Sequence, residues 1–143
     1  MKPLSLQATD DEILALCREW VELMASDRLD DAIDLLYVPP TYDESQHWTV
    51  ESLRTYIGNR GSWEPMRDGS AWRVTSMESA RAPEDSPHFR PHADVGHYHG
   101  KAHAGWVDVD LPLNGEWSDL TAQFEFSPVG DGIGLSLHDL HVL

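Results

Sequence analysis

The chain has 143 residues, 41% of them hydrophobic and six of them tryptophan, and it carries 25 acidic against 10 basic side chains for a formal net charge of -15. A chain of that length and apolar content is expected to form one domain, over residues 1–143, with a packed core. The charge repels nucleic acid and anionic membrane surfaces at long range, and no window has the length and apolarity of a membrane span, so neither class of partner is expected.

The opening residues "MKPLSLQATDDE" turn acidic before any apolar run of signal-peptide length, so a cytoplasmic location is expected. Thr9 and Glu12 have capping-box spacing, and Ile13, Leu16/Cys17, Trp20 and Leu23/Met24 then recur at helical intervals. Cys17, the single cysteine, falls inside this apolar stripe and reads as a small hydrophobe with no catalytic role. A second helix is expected in "SDRLDDAIDLLYVPP", capped by Ser26 or Asp27, with Leu29, Ile33 and Leu36 inward and Pro39-Pro40 as its stop. A third follows in "HWTVESLRTYIGNRG", with Thr49 as N-cap, Val50, Leu53 and Tyr56/Ile57 inward, and Gly58 or Gly61 past its end.

From Ala71 the period changes to alternation, beginning with "AWRVTSM". The stretch "ESARAPEDSPHFRPH" holds Pro83, Pro87 and Pro91 among charged and small residues and reads as a surface loop over 78–92. "ADVGHYHGKAHAGWVDVDL", "EWSDLTAQFEF" and "GIGLSLHDLHVL" then read as strands.

Asn114-Gly115 favours a type I′ turn, because both central residues must take positive φ. Pairing outward sets Leu113 opposite Glu116, Val109 opposite Leu120, Val107 opposite Ala122, Gly105 opposite Phe124 and His103 opposite Phe126, a largely apolar face. The opposite face holds Trp106, Asp108, Asp110, Trp117, Asp119, Thr121, Gln123 and Glu125, with Asp110 directly across from Asp119. A four-residue loop, Pro128 to Asp131, would put Leu135 and Leu137 on the apolar face and continue it through Asp139 and His141. A slip of one residue would turn that last pair outward.

Helices followed by a long alternating sheet indicate an α+β domain, N-terminal helices packed on a curved antiparallel β-sheet. On "LCREWVELMASDRLDDAIDLLY" and the terminal meander "GWVDVD", "WSDLTAQFEF" and "IGLSLHDLHVL", the chain resembles the NTF2-like superfamily, the cone fold of ketosteroid isomerase-type and SnoaL-type proteins. The resemblance implies a pocket between the helices and the concave face of the sheet, without implying a reaction, since the fold hosts many activities. No local motif lets the catalytic groups of the isomerase-type members be carried over to residues of this chain.

Within that cone the expected ligand-binding residues are Trp20, Tyr56, Trp72, His103, Val107, Phe124 and Leu137, around a small, largely apolar molecule. Asp139 and His141 form the acid/base candidate, because a carboxylate beside an imidazole in a partly dry pocket is how proton-transfer groups are tuned. Isomerisation or dehydration without a cofactor is the chemistry that fits. Five histidines, His88, His92, His97, His99 and His103, raise the question of a metal, but without a second ligand cluster they read as loop and surface groups, and no metal site is expected. Trp106, Trp117, Leu140 and Val142 converge on the polar face and point to a homodimer through the sheet. The rival reading is a non-catalytic interaction protein, such as an immunity protein against a basic toxin, steered by its acidic surface. A third has the cone filled by its own side chains.

Overall fold

In the computed structural model, which describes residues 1–142, three helices lie against a five-stranded antiparallel sheet that curls into a half-barrel. The helices are α1 (Asp10–Ala25), α2 (Leu29–Leu35) and α3 (Val50–Gly58). The strands are β1 (Leu4–Ser5), β2 (Ala93–His97), β3 (Gly105–Leu113), β4 (Glu116–Val129) and β5 (Gly132–Val142), in the spatial order β1-β5-β4-β3-β2. The fold class is α+β, as expected.

Local chemistry explains where the helices begin. The Thr9 hydroxyl accepts from the Glu12 amide and the Glu12 carboxylate accepts from the Thr9 amide, a complete capping box, and Thr49 and Ser52 repeat the arrangement at α3. At α2 the cap is Arg28, whose donor-only guanidinium accepts no capping bond and instead donates to Asp31 at 2.8 Å, after Asp27 has turned the chain from α1 through a left-handed conformation (φ 57°). Ile13, Leu16, Cys17, Trp20, Val21 and Met24 bury one face of α1. Leu29, Ala32, Leu35 and Leu36 are the buried face of the second helix, with Ile33 at its border.

Asn114 and Gly115 both take positive φ (51° and 88°), and the turn is clasped from outside. The Asn114 side-chain oxygen accepts from the Arg73 amide and its NH2 donates to the Ala71 carbonyl. The alternating run after Ala71 therefore docks on the hairpin tip, through the isolated bridge Val74↔Leu113, and is not a strand of the sheet.

The hairpin register departs from simple outward pairing. Leu113↔Glu116 and Pro112↔Trp117 hold, but the next pair is Asp110↔Thr121, so Ser118, Asp119 and Leu120 all face the single residue Leu111. Pro112 lacks an N–H for the ladder, and the Ser118 hydroxyl instead donates to the Leu111 carbonyl at 2.7 Å. The two extra residues preserve the alternation while changing the partners: Val109 pairs with Ala122, Val107 with Phe124 and Gly105 with Phe126. Asp110 therefore meets Thr121, whose hydroxyl donates to it at 2.8 Å, and Asp119 pairs with Arg60 at 2.8 Å. The like-charge apposition is absent.

β5 follows a two-residue turn, Gly130-Asp131, with Phe126↔Leu135 and Phe124↔Leu137, so both leucines are inward as expected. The ladder then skips His138. Gln123↔Asp139, Ala122↔Leu140 and Thr121↔His141 follow, and one unpaired residue has exchanged the faces. Leu140 is fully buried, whereas Asp139 and His141 share the side of Asp108, Gln123 and Thr121. This corrects the expectation that the terminal acid and imidazole continue the apolar face. The exchange buries a leucine in place of a carboxylate and an imidazole, which avoids the large desolvation cost of a charged group.

The same exchange dissolves the expected patch of four. Leu140 is in the core, Val142 is exposed at the sheet end, Trp106 lies over Gly96, and the Trp117 amide donates to the Arg81 carbonyl within the docked loop.

Leu140→Ala is expected to destabilise the protein by about 2–5 kcal/mol as a buried truncation. Val142→Ala, on the same strand, is expected to stay within about 0.5 kcal/mol. Urea unfolding of both variants reads the phase of β5 directly.

Candidate functional site

The interior of the half-barrel is occupied by the chain itself. Trp20, Val107 and Phe124 are fully buried and Leu137 is nearly so, and the rings of Trp20 and Phe124 meet edge to face with centroids 5.3 Å apart. Four of the seven expected ligand contacts are thus packed against one another. Trp72 is half-buried against the margin of this core, its amide donating to the Gly58 carbonyl and the Arg60 guanidinium lying 4.7 Å from its ring centroid. His103 lies in the connection before β3, with its Nδ1 buried and unpartnered.

Tyr56 and Asp139 do come together, at a different place. A cavity of about 200 Å³ opens beside β5, lined by Ser45, Gln46, His47, Trp48, Ser52, Tyr56, Trp63, His138 and Asp139. Its origin is the free edge of β5: β1 pairs only with Gly132 and Ile133, so the carbonyls beyond them need other donors. The Tyr37 amide donates to Leu135 at 2.7 Å, and the Trp48 indole N–H donates to Leu137 at 2.9 Å. Trp48 thus ends beside the strand, immediately before the Thr49 cap of α3, and Tyr56 follows two turns into that helix.

Three rings form the wall. Trp48 and Tyr56 have centroids 5.7 Å apart at 69°, and Tyr56 and Trp63 4.8 Å apart at 62°. Trp63 is 61% exposed, an unusual position for an indole. The polar wall comes from the bulge. Asp139 Oδ2 meets His141 Nδ1 at 2.8 Å and its Oδ1 accepts from the Leu140 amide at 2.8 Å, so the carboxylate is held in orientation from behind. Burial, then the Asp139 charge, raises the Tyr56 phenol above its ordinary value. The Asp139–His141 pair is therefore real as a hydrogen-bonded unit, at the edge of the sheet and outside the core of the half-barrel.

Sequence reasoning missed Trp48, Trp63, His47 and His138. Trp63 was accessible to it: "NRGSWEP" places a tryptophan among turn and polar residues with no apolar period to absorb it. His138 was hidden because only the bulge distinguishes it from its neighbours.

The outer face of the sheet forms a second cavity, of about 240 Å³, lined by Phe89, His92, Asp94, Asp108, Asp110, Asp119 and Thr121. Asp110 is buried and saturated: it accepts from Thr121, from the His92 amide at 2.8 Å, and contacts His92 Nδ1 at 3.0 Å. Burial raises the Asp108 carboxyl above its ordinary 3.8, Gln123 opposes the shift, and Asp94 and Asp110 add to it. The remaining histidines scatter. His97 bridges Asp10 at 2.7 Å and the Lys101 carbonyl at 2.9 Å, bonds that raise its pKa, and His99 sits in a left-handed turn (φ 45°). Among the described residues no group of three His, Cys, Asp or Glu side chains is arranged to hold a metal ion. Among the same residues no helix is long and apolar enough to cross a membrane.

Compared with protein-family models, curated proteins and solved structures, the chain matches none.

A carboxyl whose pKa is raised on folding is no burden while protonated and opposes folding once ionised, so its penalty is absent below the ordinary value and grows as pH rises through the raised one. Asp108→Asn should therefore raise the melting temperature at pH 7, with the gain disappearing toward pH 3, as read by thermal unfolding across pH.

Proposed function

We propose that the chain is a cone-type, NTF2-like domain that works as a small-molecule binding protein, with its site at the rim beside β5. The observation that carries this reading is the three-ring wall of Trp48, Tyr56 and Trp63 around a 200 Å³ cavity with one oriented carboxylate. An indole left 61% exposed forfeits burial of a large apolar surface, and a ligand restores it. The cavity is smaller than the roughly 300–1,000 Å³ of drug-sized sites, so the ligand is compact. Three inclined aromatic rings beside a polar wall suit a compact molecule with an apolar body and a polar end. Binding accounts for the geometry better than isomerase chemistry inside the cone, because the core side chains occupy that space and His141 supports Asp139 without lining the cavity.

The test uses the neutral probe 3,3-dimethyl-1-butanol and the indole N–H signals of the six tryptophans. Signals of Trp48 and Trp63 should shift on titration while that of Trp20 stays fixed, and Trp63→Ala should abolish the Trp48 response. A shift confined to Trp20 would return the site to the cone interior.

A second reading is supported by the outer face, where Asp94, Asp108, Asp110 and Asp119 line one cavity on a chain of net charge -15. There the protein would act as an interaction module for a basic protein partner, associating by charge steering. A lysine-rich peptide should then bind with an affinity that falls steeply between low and physiological salt, and Asp94→Asn should slow association. Salt-independent binding of that peptide would dismiss the steering.

A further inference from the structure

Resting on the rim site, we propose that its ligand is a compact organic cation of the quaternary-ammonium class, held by the faces of Trp48, Tyr56 and Trp63 with Asp139 as counter-charge.

Four observations lead there. The three rings are mutually inclined, at 69° and 62°, with centroids 5.7 and 4.8 Å apart, so they form the walls of a corner and not a stack. A flat aromatic ligand would call for parallel faces; a rounded ligand fills a corner. Aromatic faces are negative, and a cation within about 6 Å of a ring centroid is attracted by each of them, most strongly by tryptophan.

The charge around the cavity has one sign. Asp139 lines it, and no Lys or Arg does among the described residues. Its other ionisable lining residues are Tyr56, His47 and His138. The field of Asp139 already reaches Tyr56, where it opposes a second negative charge and favours a positive one.

The carboxylate is preorganised. Its two oxygens are fixed by the Leu140 amide and by His141, so it does not have to be ordered when the cation arrives. Finally, the net charge of -15 raises the local concentration of any cation at the surface.

The experiment compares choline with 3,3-dimethyl-1-butanol, which has the same shape and hydroxyl but no charge, by calorimetry and by the Trp48 and Trp63 indole N–H shifts on the full chain. Choline is expected to bind at least tenfold more tightly than the neutral isostere. Trp63→Ala, at an exposed position that leaves the core intact, should weaken choline binding about tenfold, and Asp139→Asn should reduce the preference for choline over the isostere. Equal affinity for the two probes overturns the cationic ligand and leaves the rim site standing. Absence of any Trp48 or Trp63 response to either probe overturns both.

Discussion

The arrangement of this molecule depends on one unpaired residue in its last strand. Without the bulge at His138, the alternation that puts Leu135 and Leu137 beneath the helices would carry Asp139 and His141 after them and leave Leu140 outside. Burying a leucine side chain contributes about 1.5–3 kcal/mol, and burying an ionised carboxylate without full compensation costs considerably more. The strand therefore yields one ladder position. The consequence reaches beyond stability, because the bulge turns Asp139 toward the sheet edge where Tyr56 and Trp63 stand.

A second constraint comes from the shortness of β1. Its two residues cover only the start of β5, and an open edge of that length would offer unpaired carbonyls and a template for another chain. The segment from Tyr37 to Trp48 meets this need with one amide and one indole N–H. Using an indole for the second bond has a side effect: the ring that follows the N–H stands beside the strand and becomes a wall. Edge protection and one wall of the proposed site are built by the same side chain.

Much of the fold was legible. Thr9 with Glu12 marked the start of α1, Thr49 that of α3, and Asn114-Gly115 the hairpin, because each acts through a contact only a few residues long. The inward set of β3 and β4 was also readable despite the wrong partners, since a two-residue bulge leaves alternation intact. What escaped depends on distant parts of the chain. β1 is two residues long and exists only because β5 lies beside it. The bulge in β5 had a trace: apolar residues step by two from Leu135 to Leu137 and then by three to Leu140, a break that counting to a single register conceals. The cavity itself was not legible, as it joins the residues before α3, the turn after it and a displaced strand.

Filling the half-barrel has a further physical effect on where the proposed site can lie. Trp20 and Phe124 meet at the centre of the half-barrel and are fully buried, so admitting a ligand there would require displacing side chains packed at interior density. At the rim the opposite holds, since Trp63 is still in water and a ligand removes that area from solvent without breaking a core contact. Trp48 and Asp139 are meanwhile fixed by bonds that serve the strand, Trp48 through Leu137 and Asp139 through Leu140 and His141. Walls anchored to the sheet at Trp48 and Asp139, with one aromatic face left exposed at Trp63, give the proposed site its preorganisation.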